Sequence, residues 1–187
     1  MGQAANQIGE IRRAAVHAKT PKHAFLTFPV MSDGAEYLAM GFLKRRNIET
    51  YKAPPRQANF DLICIHPTGA HNRLVRVQVK SRYGTQGTGV PIKTSSLSKF
   101  DFLVVVALNV GNFAAGKDGS TGSRPPDIYV FPGQVVQRHI VKKGWGPQTG
   151  KFFFKPFKGV ERYKGEVGIE LIAKKLGVAR PLRPKAK

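Results

Sequence analysis

Residues 59–83 read NFDLICIHPTGAHNRLVRVQVKSRY, and their pattern decides how the rest of the chain is understood. Phe60 to His66 is rich in β-forming residues and Pro67-Thr68-Gly69 supplies turn chemistry, so the stretch is predicted to be a β-hairpin. In the second arm Val75, Val77 and Val79 alternate with Arg76, Gln78 and Lys80. A strand repeats every two residues, so Gln78 and Lys80 leave the same face. Asp61 stands in an otherwise apolar arm, where a carboxylate without partners is costly. Closing the hairpin between His66 and Val75 would set Asp61 opposite Lys80. An acid, an amide oxygen and an ammonium then converge at one end of a sheet. Such a set suits phosphodiester hydrolysis. Carboxylate and carbonyl oxygens hold Mg²⁺, which polarises the phosphate and acidifies a bound water. The lysine orients or deprotonates that water, or stabilises charge on the phosphorane. The structural alternative is a plain cross-strand ion pair between Asp61 and Lys80.

Upstream, SDGAEYLAMGFLKRR (32–46) places Ala35, Leu38, Ala39, Phe42 and Leu43 on one helical stripe. Asp33 is the expected N-cap, Lys44-Arg45-Arg46 suits the negative end of the helix dipole, and Asn47 suits its stop. Glu36 follows Asp33 at capping-box spacing, and from that helix it could equally aim a second carboxylate at the hairpin site. Ile48 to Tyr51 reads as a short strand.

Downstream, TQGTGVPIKTSSLS (85–98) is expected to be a mobile loop ending in a short helix. KFDFLVVVALNV (99–110) is a strand whose continuous apolar run implies burial on both faces, with Asp101 capping a turn at its start. GNFAAGKDGSTGSRPPD (111–127) is Gly/Ser-rich and expected to be flexible. DIYVFP (127–132) reads as a strand, GQVVQRHIVKKG (133–144) as a short helix, and EVGIELIAKKLG (166–177) as a final helix stopped by Gly177. KFFFKPFKGVERYKG (151–165) interleaves aromatic and basic residues, either to stack bases or as a strand with its Phe face in the core.

Charge is the strongest bulk signal: 31 Lys plus Arg against 11 Asp plus Glu give +20 over 187 residues. Such an excess repels itself unless a polyanion neutralises it, and nucleic acid is the usual one. A single cysteine, Cys64, excludes an internal disulfide framework, and its apolar neighbours mark a buried thiol. The opening residues carry no apolar run of signal-peptide length, and Asn6 stands where a myristoylation signal has Ser or Thr. The longest apolar stretch, Phe102 to Leu108, is too short to span a bilayer, so an intracellular protein without a membrane partner is expected. His66 and His71 flank the hairpin turn, but no Cys or third His stands at ligand spacing.

Glu36 in a helix, Asp61 in NFDLICI and Gln78-Val79-Lys80 in VRVQVKSR together resemble the PD-(D/E)XK nuclease signature, in the variant where Gln replaces the second acid. The KFDFLVVVAL and DIYVFP strands are similar to the strands downstream of that motif in such nucleases, and the resemblance covers about residues 32–140. It implies an α/β, restriction-endonuclease-like fold, a mixed central β-sheet flanked by helices, and metal-dependent cleavage of nucleic acid. By position, Asp61 is the metal-binding acid, Gln78 the ligand from the second strand, Lys80 the catalytic lysine and Glu36 the helix acid. Phe60 stands where the motif has Pro, and Gln78 contributes no charge.

The expected organisation is a basic extension over 1–31, a nuclease-like domain over 32–176 and a basic, phosphate-binding tail over 177–187. Arg76, Ser81, Arg82, Lys93 and Lys99 are candidate contacts to nucleic acid. The expected activity is a Mg²⁺-dependent endodeoxyribonuclease, with Mn²⁺ able to substitute. The expected partner is double-stranded DNA, and a homodimer would bring one site to each strand. Two rivals accompany this reading: a non-catalytic binder that retains the fold, favoured by the missing second acid, and a basic ribonucleoprotein component, favoured by charge and tail alone.

Overall fold

A computed structural model describes residues 29–54, 59–82, 89–109, 125–142, 148–154 and 157–178. Helix α1 spans Pro29–Arg45. It begins upstream of the expected start, because proline is well placed in a first helical turn, where its missing N–H leaves no bond unmade. Asp33 therefore lies inside the helix and is not its N-cap. Ala35, Ala39 and Leu43 form the buried stripe, whereas Leu38 remains 36% exposed. Asn47, at φ 59°, turns the chain out of the helix.

Strands β1 (Glu49–Lys52), β2 (Leu62–Ile65), β3 (Leu74–Arg82), β5 (Phe102–Ala107) and β6 (Asp127–Pro132) form a five-stranded sheet in the order β1-β2-β3-β5-β6. The pairs β1–β2, β2–β3 and β5–β6 are antiparallel, and β3–β5 is parallel. A parallel neighbour requires a crossover. That crossover carries β4 (Gly89–Lys93) and a 3-10 turn at Thr94–Ser96. Strand β4 pairs with β7 (Thr149–Phe153) as a second, two-stranded sheet. Here the expected mobile loop is corrected over its described part, residues 89–98. Val90 and Ile92 are buried while Pro91 and Lys93 are exposed, a period of two that the Gly, Thr and Ser content of the segment obscured.

The central sheet is covered on both faces. Leu62, Val77, Val104 and Val130 meet α1 and the last helix, α3 (Gly165–Leu176), through Ala39, Leu43, Ile169 and Ile172. On the other face Leu103, Val105 and Phe131 meet β4, β7 and the short helix α2 (Gly133–His139). All six residues of β5 are accordingly buried, as its apolar run requires. Phe152 and Phe154 are fully buried, with Phe152 4.9 Å from Phe131 and Phe154 5.2 Å from Tyr129 between ring centroids. The aromatic-basic stretch thus supplies core, not a stacking platform.

Two features hold α3 in place. A Cβ on Gly168 would stand 2.2 Å from the Tyr163 carbonyl oxygen, so only glycine permits this approach. Arg46, just past α1, donates from Nε at 3.0 Å and Nη2 at 2.9 Å to Glu170 Oε2 in a buried ion pair. Gly177, at φ 79°, ends α3 as expected. The architecture is a mixed α/β fold with a central mixed sheet flanked by helices, the fold class that the sequence predicted. No helix among the described residues is long and apolar enough to cross a membrane. Residues 1–28, most of the expected basic extension, lie outside the described residues, as do the Gly/Ser-rich stretch at 110–124 and the tail from 179.

Candidate active site

The hairpin closes with Ile65 opposite Leu74 and Leu62 opposite Val77. One step further, Asp61 stands level with Gln78, not with Lys80. The register differs because the connection contains a 3-10 turn at Ala70–Asn72 flanked by Gly69 at φ 68°, and Asn72 itself adopts φ 46°. A slip of two residues leaves every side chain on its face, so Gln78 and Lys80 still project together.

Asp61 ends the ladder of β2. Its N–H donates to Val77 O at 2.9 Å, and its carbonyl accepts from Ala53 N at 2.8 Å. Its side chain then replaces the next backbone acceptor, with Oδ2 taking the Val79 N–H at 2.6 Å. Because that N–H lies in the plane of the sheet, the carboxylate sits at the mouth where β2 leaves β3. Gln78 is buried, and its Nε2 donates to Asp61 Oδ2 and lies 3.5 Å from Val79 O. The amide group thus links two oxygens that stand side by side. Among the described residues Asp61 has no ion-pair partner.

Lys80 follows Gln78 on the same face, roughly 7 Å along the strand. It is half-buried, and among the described residues its ammonium makes no hydrogen bond or ion pair. Arg82 is the next residue of this row, and among the described residues its Nε is buried without a hydrogen-bond partner, as is Asn109 Oδ1.

Glu36 belongs to a neighbouring group. Lys52 Nζ stands 3.0 Å from Glu36 Oε2, also bonds Asp33 Oδ1, and lies 4.6 Å from the Tyr37 ring centroid. Asp33 first and Glu36 second push the Lys52 pKa above the ordinary lysine range, so the ammonium stays charged. Lys52 is opposite Leu62, one residue from Ala53, whose N–H reaches Asp61. Neither the helix-cap role nor direct contact with Asp61 is what Glu36 displays. Sequence reading missed Lys52. Its only local signal is its place two residues after Thr50, on the face of β1 that α1 covers.

Of the other predicted contacts, Arg76 is engaged internally. Asp101 Oδ2 accepts from both its backbone N at 2.8 Å and its Nε at 3.2 Å. Ser81 is half-buried beside Lys80, while Lys93 and Lys99 are exposed at the end of β4 and in the following turn. His66 Nδ1 accepts from Thr68 N at 3.3 Å, a turn role. Cys64 is fully buried beside Thr50, and burial pushes its thiol pKa up to about 12.

No group of three or more His, Cys, Asp or Glu able to hold a metal ion occurs among the described residues. The available donors are one carboxylate, a carbonyl and an amide, all through oxygen. Such a set fits Mg²⁺, which keeps several waters and needs few protein carboxylates once a substrate phosphate contributes. Gln78 presents its oxygen to such an ion only with its amide turned over, since Nε2 is the atom now facing Asp61.

No protein-family model matches the chain, and no curated protein matches it. Among solved structures it is similar to a bacterial homing endonuclease, I-Ssp6803I, at 16% identity and TM-score 0.48, over 82% of this chain and 96% of that one. It is also similar to Archaeoglobus fulgidus Hjc, a Holliday junction resolvase, at 11% identity and TM-score 0.42, over 81% of this chain and 99% of that one. These are likenesses of fold.

Proposed function

We propose that this chain is a metal-dependent endonuclease that hydrolyses phosphodiester bonds in DNA, with Mg²⁺ as its ion and Mn²⁺ able to replace it. The observation that carries the reading is the Asp61 carboxylate. It is fixed by the Val79 N–H, faces a neutral amide in place of a cation, and shares its sheet end with the unpaired Lys80. Burying part of a charge without compensation is costly, so its retention here points to a cation supplied from outside.

Asp61, Gln78 and the Val79 carbonyl would hold the ion, which supplies Lewis acidity toward the phosphate and acidifies a bound water. Lys80 orients the attacking water or takes its proton, and its ammonium otherwise steadies charge building on the phosphorane oxygens. Ser81 and Arg82, which directly follow Lys80, would touch the scissile phosphate. Lys93 and Lys99 meet flanking phosphates, while Arg76 contributes less because Asp101 already holds it. Glu36, which the resemblance offers as a further metal ligand, acts through Lys52. The net +20 supplies affinity independent of sequence, which falls steeply as salt rises. Double-stranded DNA is the partner, and a homodimer would let each strand meet one site.

The test is plasmid cleavage by wild type and Lys80→Ala, each with Mg²⁺, Mn²⁺ or chelator. Cutting by wild type that needs metal and disappears in the variant is expected. The second reading, a DNA binder without turnover, is favoured by the neutral Gln78, whose donor face now covers Asp61. Retained DNA binding with a steep salt slope and no cleavage by either protein would put it first.

A further inference from the structure

We infer that the Gln78 side chain is a switch that keeps the metal position closed until a phosphate arrives, so that ion and DNA are captured together. The inference rests on the metal reading of Asp61 and adds the condition under which that site opens. Its evidence is the double engagement of one amide. Gln78 Nε2 donates to Asp61 Oδ2 and lies 3.5 Å from Val79 O. One NH2 group therefore covers both of the other oxygens that would serve as ligands. Gln78 is buried on the central strand of the sheet, and Asp61 Oδ2 is held in turn by the Val79 N–H at 2.6 Å. The two covered oxygens are fixed by backbone, and the amide is the part that turns.

A primary amide carries donors at one end and an acceptor at the other, and a half-turn about its last side-chain bond exchanges them. With Nε2 inward, the carboxylate receives a charge-assisted hydrogen bond, one of the stronger kinds. With Oε1 inward, three oxygens crowd together and repel unless a cation stands among them. An ion alone gains little from driving that change, because the affinity of an oxygen site follows its count of charged ligands. Asp61 is one carboxylate, and no group of three or more His, Cys, Asp or Glu able to hold a metal occurs among the described residues. A DNA phosphate brings a further oxygen and the missing negative charge. Lys80, its ammonium unpaired among the described residues, shares the face of Gln78 on which that phosphate would arrive.

A ligand shifts a two-state element only by its difference in affinity for the two states, and ion with phosphate has more of that difference than ion alone. Binding free energies are reciprocal, so the factor by which DNA tightens the ion is also the factor by which the ion tightens DNA. Gln78→Glu lacks the closed state, since two ionised carboxylates offer each other no donor. Gln78 is thus a positioning residue while the site is closed and a ligand once it opens.

The test follows the side-chain NH2 of Gln78 by proton–nitrogen NMR of the full chain. Its signals are identified by their absence from Gln78→Ala or, should that variant not fold, through the Gln78 backbone amide. Mg²⁺, a phosphorothioate DNA duplex that resists hydrolysis, and the two together are added in turn. Expected is a shift with both that neither gives alone. Fluorescence anisotropy at matched ionic strength then reads the duplex affinity, which Mg²⁺ should tighten by about tenfold or more in wild type and leave unchanged in Asp61→Asn. A shift of the same size with Mg²⁺ alone would overturn the inference and leave the metal reading of Asp61 standing. No effect of Mg²⁺ on the amide signals or on duplex affinity, with or without DNA, would remove the metal reading and the inference with it.

Discussion

Asp61 and Asp101 flank β3 from opposite sides, and each uses Oδ2 to accept a backbone N–H from it, Val79 N at 2.6 Å and Arg76 N at 2.8 Å. Both stand just before a strand, β2 for one and β5 for the other, and both finish a ladder that the backbone leaves open. They part in what meets the charge. Asp101 also receives the Arg76 Nε–H at 3.2 Å, so its carboxylate is matched by a cation within the fold. Asp61 receives a neutral amide. Backbone capping is therefore common to both aspartates and charge compensation is what separates them, the difference on which the proposed metal role of Asp61 rests.

The largest expected effect breaks the pair apart in function. Asp61→Asn preserves size and hydrogen bonding but removes the charge, and should lower Mg²⁺-dependent plasmid cleavage by at least ~10³-fold. Asp101→Asn should lower it by less than about tenfold, because that residue touches no reacting group. Equal losses in the two variants would erase the distinction.

Stability should rank them the other way. Asp101→Ala strands the Arg76 N–H and removes the partner of its half-exposed guanidinium, and should cost about 1–3 kcal/mol in urea denaturation. Asp61→Ala also frees an N–H, but it relieves a partly buried charge that lacks an internal cation, so its cost should be smaller. A greater loss at Asp61 would mean that the fold needs this carboxylate for itself.

The comparison sharpens at Gln78. Gln78→Glu places a second negative charge beside Asp61, and should tighten Mn²⁺ binding by about tenfold while lowering the melting temperature of the metal-free protein. Unchanged affinity would place the ion elsewhere. The smallest effect is a control within the same hairpin. With its thiol pKa pushed up to about 12 by burial, Cys64 is protonated throughout the neutral range. A thiol reagent at pH 8 should leave it almost untouched until denaturant is added; fast labelling of the folded protein would contradict the burial of β2.

Much of the fold was legible in the sequence, for reasons particular to each element. The all-apolar run of β5 could only be a strand covered on both faces, and the alternation in VRVQVK set Gln78 and Lys80 on one face whatever the register. Gly177 and Asn47 marked helix ends through backbone conformations that other residues avoid. Other features stayed hidden. Strand β4 was masked by the Gly, Thr and Ser around it and by its own Pro91, because its partner β7 lies more than fifty residues away and a two-residue period over so short a stretch is a weak signal. The partner of Asp61 was misjudged by two residues, since register is set by turn geometry and not by the composition of the arms.

The sequence by itself determined the class of fold, the strands that carry Asp61, Gln78 and Lys80, and the basic character of the surface, because periodicity and charge are local or additive properties. Only the tertiary structure decided which charges are already matched. Whether Arg76 or a neutral amide meets an aspartate, and whether Glu36 is free or held by Lys52, depends on how α1 packs against β1 and how β3 aligns with its neighbours. Those contacts form between residues distant in the chain, and electrostatic energy depends on separation in space.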